Sequence, residues 1–164
     1  MELTKQAPGL GELLRYLNEL VEIGAEDQYR AMGLDYRARY TPVLRALNSG
    51  ANTVTAITQR TVLTQGAISQ TVALLVKDGL VSRQGLEDAR SSAILFTSAG
   101  RKLVARLQPL WSATFSAIET LEREIDFPLR RVLEAACEAL ERDGFSTRVA
   151  AAKVAQIEGR PDAV

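Results

Sequence analysis

The feature that most constrains this chain is a change of hydrophobic period at Gly79. Upstream of it, Val54 and Ile57 mark one short helical block, predicted over Thr53 to Arg60. Ile68, Val72 and Leu75 mark a second, from Gln65 to Lys77, and Thr61-Val62-Leu63 forms the turn between the two. Thr64 is placed to cap the second helix, and Asp78-Gly79 to end it, because glycine accepts the left-handed conformation that closes helices. Downstream, Leu80–Gln84 and Ala93–Phe96 read as two strands around a polar tip, Gly85 to Ser91. Helix, tight turn, helix and hairpin in this order make a winged helix-turn-helix.

The flanks are helical. Pro8 suits a first turn, and Leu10, Leu13, Leu14, Leu17, Leu20 and Val21 follow at three- and four-residue steps, predicting a helix to about Gly24 or a little beyond. Leu34 to Leu47 is a second candidate, with Tyr40, Val43, Leu44 and Leu47 on one face and a turn at Ser49–Asn52. After the hairpin, Thr97 or Ser98 caps a helix whose apolar stripe runs from Leu103 to Ile125, about 40 Å at helical rise. Pro109 falls inside it and predicts a kink or a short break. Asp126 is the expected cap of a last clear helix carrying Leu129, Val132, Leu133, Ala136 and Leu140, stopped by Asp143-Gly144. From Ser146 the chain is polar and alanine-rich, a partly ordered tail. The expected fold class is therefore mainly α with a small β-hairpin wing. The segments expected are 1–33, a winged helix-turn-helix over 34–100, helices over 101–145, and the tail 146–164.

Composition removes other options. The chain has 164 residues and no histidine, which excludes hydrolytic triads and histidine-containing metal sites. No glycine-rich phosphate loop or paired carboxylate stands out either, so no enzyme and no cofactor is expected. A single cysteine, Cys137, forms no intramolecular disulfide, and its acidic neighbours Glu134 and Glu138 argue against a reactive thiolate and for a small core or interface residue. No run of eighteen apolar residues and no signal-peptide layout at the N-terminus occur, so a cytoplasmic protein without a membrane partner is expected.

The formal net charge is zero, yet its distribution is uneven. Residues 37–106 hold ten lysines and arginines against three acids, Asp78, Glu87 and Asp88, while both ends are net acidic. A basic middle suits a polyanion. The helix Gln65–Lys77 fits that partner. With Ile68, Val72 and Leu75 inward, Gln65, Gly66, Ser69, Gln70 and Ala73 face outward, and no acid occurs between Thr64 and Val76. Glutamine pairs with adenine edges, serine with several bases, and alanine can touch a thymine methyl. Gly66 and Ala67 allow the backbone to approach a duplex closely. Double-stranded DNA is the partner this surface predicts.

Three blocks carry a family resemblance. Thr64-Gln65-Gly66-Ala67-Ile68-Ser69-Gln70-Thr71-Val72 with Leu75 to Val81 resembles the recognition helix and first wing strand of MarR-type regulators. Asp88-Ala89-Arg90 is similar to that family's wing motif, and Phe96-Thr97-Ser98-Ala99-Gly100 to the start of its long dimerisation helix. The resemblance runs from about Leu34 to Leu121. It implies a homodimeric transcriptional regulator, a repressor joined through its terminal helices. It also implies that Arg90 reaches the minor groove and that Asp88 shapes the wing. Arg83, Arg37, Arg39 and Arg60 are then candidate phosphate contacts. Many such proteins release DNA on binding a small aromatic or lipophilic effector, for which Tyr36, Tyr40, Trp111 and Phe115 are candidate ligand-binding residues. The competing reading is a winged-helix module that binds protein and not DNA.

Overall fold

The computed structural model describes residues 7–85 and 92–158. They form two compact units, divided between Thr114 and Phe115. In the first unit, α1 (Leu10–Ala31) leads through a short 3-10 turn at Ala38–Tyr40 into α2 (Thr41–Asn48), α3 (Val54–Thr58) and α4 (Gln65–Lys77). The strands β1 (Val81–Gly85) and β2 (Ser92–Phe96) follow, and α5 (Ser98–Glu124) starts in this unit. The strands pair antiparallel, Val81 opposite Phe96 and Gly85 opposite Ser92. This is the mainly helical fold with a β-hairpin wing that the change of period predicts.

The core lies between α2, α4, the hairpin and α5. Val43, Leu44, Ile57, Ile68, Val72, Leu75, Val81, Ile94 and Leu107 are all essentially inaccessible to solvent. Burying an aliphatic side chain of this size stabilises by about 1.5–3 kcal/mol, so this cluster is the main source of the unit's stability. On α5 the buried positions are Gly100, Val104, Leu107 and Trp111, one stripe at helical spacing.

Helix ends follow local chemistry. The Thr53 hydroxyl accepts from the Ala56 amide at 3.1 Å and starts α3, and the Thr64 hydroxyl accepts from the Ala67 amide at 3.2 Å and starts α4. α4 ends in a Schellman motif. Gly79 takes φ +68°, its amide donates to Val76, and the Leu80 amide donates to Leu75.

Several expectations are corrected. α1 continues to Ala31, past Gly24, because one glycine in a helix of 22 residues weakens it without ending it. The helix expected from Leu34 begins only at Thr41, where Pro42 occupies the first turn and Arg37 is extended. α5 runs through Pro109 without a break. The missing amide costs one ladder bond, while Leu107 and Trp111, buried on either side, hold the helix in place.

The second unit holds the end of α5, α6 (Leu129–Arg142) and α7 (Phe145–Glu158). Asp126 does not cap α6, for it sits at φ 51°, in the left-handed region that aspartate tolerates. The Glu122 carboxylate takes that role, accepting the Arg130 amide at 2.7 Å. No residue of α6 is buried, and Cys137 is exposed, so it is not a core residue of this chain. The segment after Gly144 is helical up to Glu158.

Candidate nucleic-acid interface

α4 is about 20 Å long at helical rise and is held by one face. Ile68, Val72 and Leu75 are fully buried and Thr71 nearly so. On the opposite side Gln65, Gly66, Gln70 and Ala73 are exposed, with Thr64 at the cap, while Ala67 and Ser69 are half-buried at the flank. The surface is neutral, polar and small, and its two glutamines lie on the N-terminal half. Beyond it, Lys77 in the last turn is exposed, a cation at the helix end outside the polar motif. Val62, in the turn that presents α4, is completely exposed. Nothing in the periodicity marks it, since an apolar turn residue looks the same whether packed or bare.

The arginines proposed for phosphate have different surroundings. Arg83 is exposed on β1. Arg37 is exposed just before the 3-10 turn, and the Arg39 guanidinium lies 5.8 Å from the centre of the Tyr40 ring. Arg60 donates to the Ser49 backbone carbonyl and, at 3.0 Å, to the Ser49 hydroxyl, so it braces the end of α2. Asp88 and Arg90 lie outside the described residues.

Three of the aromatic residues expected to line a ligand crevice are core. Tyr36, Tyr40 and Trp111 are buried, whereas Phe115 belongs to the second unit. The Tyr29 and Tyr36 rings meet edge to face with centroids 4.6 Å apart, and Tyr36 and Tyr40 meet likewise at 6.0 Å. The Tyr36 hydroxyl shares a hydrogen bond with that of Thr41 at 2.9 Å, and the Tyr40 hydroxyl donates to the Asp78 carboxylate at 3.0 Å. Burial raises the pKa of Tyr36 above the ordinary phenol value, against the pull of the Thr41 bond. Burial, then the bond to Asp78, raises that of Tyr40. The Trp111 indole N–H has no partner among the described residues. Space for a small molecule exists elsewhere in the unit. A hollow of about 710 Å³ lies between α1, α2 and the turn before α4, with Tyr29, Thr41, Pro42, Arg45, Val62 and Leu63 in its wall.

Residues 33–91, which hold α2 to β1, match the sequence profile of the MarR family. No curated protein matches the chain. Among solved structures, a MarR family transcriptional regulator from Silicibacter pomeroyi is 25% identical, covering 80% of this chain and 94% of its own, with a TM-score of 0.59. The PcaV transcriptional regulator of Streptomyces coelicolor, solved in complex with its natural ligand, is 23% identical over 83% of this chain and 99% of its own, at TM-score 0.62. A mutant MarR from E. coli complexed with operator DNA is 19% identical over 71% and 92%, at TM-score 0.55. The last two share the fold. The matched segment takes in α2, α3, α4 and β1, and with them the helix presented by the Thr61–Leu63 turn. Among the described residues no helix is long and apolar enough to cross a membrane.

Proposed function

We propose that this chain is a cytoplasmic, homodimeric, sequence-specific DNA-binding regulator that acts as a repressor. One observation carries the reading. α4 turns toward solvent a face of Thr64, Gln65, Gly66, Gln70 and Ala73, flanked by Ala67 and Ser69, that is groove-compatible and free of acid. Arg83, Arg37 and Arg39 are the phosphate contacts, with Arg60 a lesser one because Ser49 engages it. Arg90 would enter the minor groove, with Asp88 shaping the wing. The neighbour solved with operator DNA supports the partner class.

The dimer is supported by apolar side chains left exposed among the described residues. Leu10, Leu13, Leu20 and Ile23 on α1 and Val132 and Leu140 on α6 are exposed. Exposed stripes of this length mark interaction surfaces, and a symmetric pair of recognition helices reads half-sites about one helical turn apart. The neighbour solved with its natural ligand supports a small-molecule effector, and the effector proposed for this chain is a small aromatic or lipophilic compound that releases the DNA. The α1–α2 hollow, with Tyr29 in its wall, has room for it.

A gel-shift assay with DNA from upstream of the gene tests the reading. A retarded complex displaced by the same duplex, and not by random duplex, is expected. A protein that shifts neither duplex is a protein-binding winged helix instead.

A further inference from the structure

Asp78 stands where helix electrostatics disfavours it. It is the C-cap residue of α4, at the negative end of the helix dipole, and it follows thirteen residues that contain no acid. Breaking a local rule at an element that faces a ligand needs a compensating contact. The Tyr40 hydroxyl supplies one from 38 residues away, donating to Oδ2 of Asp78 at 3.0 Å.

Tyr40 is itself held in place. Its ring is buried and packs edge to face on Tyr36, which packs edge to face on Tyr29 of α1. The Thr41 hydroxyl lies 2.9 Å from the Tyr36 hydroxyl and 3.4 Å from that of Tyr29. A fixed point thus reaches the C-terminal end of α4, whose middle is gripped by Ile68, Val72 and Leu75. Thr97 holds the same end through the Gly79 carbonyl, so the tilt of the helix is set by that joint and by Tyr40 together. Displacement of its C-terminal end moves Gln65 and Gln70 the opposite way, and pairing with base edges tolerates only about 0.5 Å.

We propose that the Tyr40–Asp78 hydrogen bond, together with the Thr97 joint, sets the pitch of α4, which makes Tyr40 and Asp78 positioning residues for base readout. This rests on the DNA reading given above. The Tyr40→Phe variant should still fold. Asp78 is exposed, so without Tyr40 its carboxylate is solvated by water, not stranded.

The test uses the full chain and an operator selected by the wild-type protein from random duplexes. Operator-to-random affinity ratios are measured for Tyr40→Phe, Asp78→Ala, Asp78→Asn and the Tyr40→Phe/Asp78→Ala double variant. Amide hydrogen exchange over Gln65–Lys77 is followed in parallel without DNA. Tyr40→Phe and Asp78→Ala should each lower the ratio roughly three- to tenfold, and the double variant should be no worse than either, since both remove one interaction. Asp78→Asn, which still accepts from tyrosine, should stay near wild type. Exchange should quicken across α4 in the first two variants and not in Asp78→Asn. The salt dependence should keep its slope, because no phosphate-facing cation is lost. Unchanged ratios in Tyr40→Phe, or losses that add in the double variant, would overturn the proposal. If the wild-type protein selects no operator, the DNA reading fails. The exchange arm then decides the tether alone, and unaltered exchange in Tyr40→Phe refutes it.

Discussion

Gly100 lies so close to Leu80 that a Cβ built on it would overlap the Leu80 carbonyl oxygen, with the edge of the Phe96 ring 3.1 Å away. The first turn of α5 therefore meets the end of α4 backbone to backbone. Thr97 completes the joint, its hydroxyl donating to the Gly79 carbonyl at 2.7 Å and accepting the Gly100 amide at 3.0 Å. A threonine and a glycine three residues apart are what such a junction needs. Gly100→Ala forces the backbones apart and should destabilise the protein by about 1–3 kcal/mol, as overpacking does. Thermal unfolding followed by circular dichroism should show a midpoint several degrees lower. An unchanged midpoint would mean the joint is looser than described.

Tyr36 makes alkaline stability a probe of the aromatic cluster. Burial raises its pKa, while an unfolded tyrosine ionises near pH 10. Above about pH 10 the unfolded state has released the proton that the folded state retains, so stability is intact below that pH and falls above it. Denaturation midpoints at pH 8, 10 and 11 should drop more steeply for wild type than for Tyr36→Phe. The variant's lost bond to Thr41 shifts its curve without changing this slope. Equal slopes would place the phenol in water.

The apolar face of α6 predicts the oligomeric state. Leu140→Asp puts a charge on a face with no buried residue, so it should leave the helix content of one chain intact. Sedimentation should find a wild-type dimer at micromolar concentration and a monomeric Leu140→Asp. A monomeric wild type would remove the dimer from the account.

The arginines should separate by salt. Arg83 is exposed on β1, and Arg83→Ala should make the dependence of log affinity on log salt shallower by about one unit. Arg60 is engaged by Ser49, so Arg60→Ala should change that slope less and lower the thermal midpoint more. Equal slopes would show that Arg60 reaches DNA in spite of its bonds.

How much of this was legible in the sequence depended on the range of the forces involved. The bounds of α4 were readable to the residue, because Thr64 and Gly79 punctuate it within a few positions of its ends. The start of α2 is not legible, because apolar spacing from Leu34 continues through a segment where Arg37 is extended and that enters α2 only at Thr41. Asp126 looked like a cap by type, yet Glu122, eight residues before Arg130, does the capping. Tyr36, Tyr40 and Trp111 show most clearly what spacing lacks. Aromatics at helical spacing look alike whether they line a crevice or fill a core, and only the packing of the elements into one cluster distinguishes the two. The Tyr40–Asp78 bond spans 38 residues and left no local trace.

The central claim is that the outer face of α4 reads bases. The most direct measurement is competition binding of wild type, Gln65→Ala and Gln70→Ala between a selected operator and random duplex. Each substitution should reduce discrimination by about 1–3 kcal/mol, the worth of a good bidentate pair, while affinity for random DNA stays close to wild type. Wild-type discrimination in both variants would contradict this, because the two exposed glutamines of that face would then read nothing.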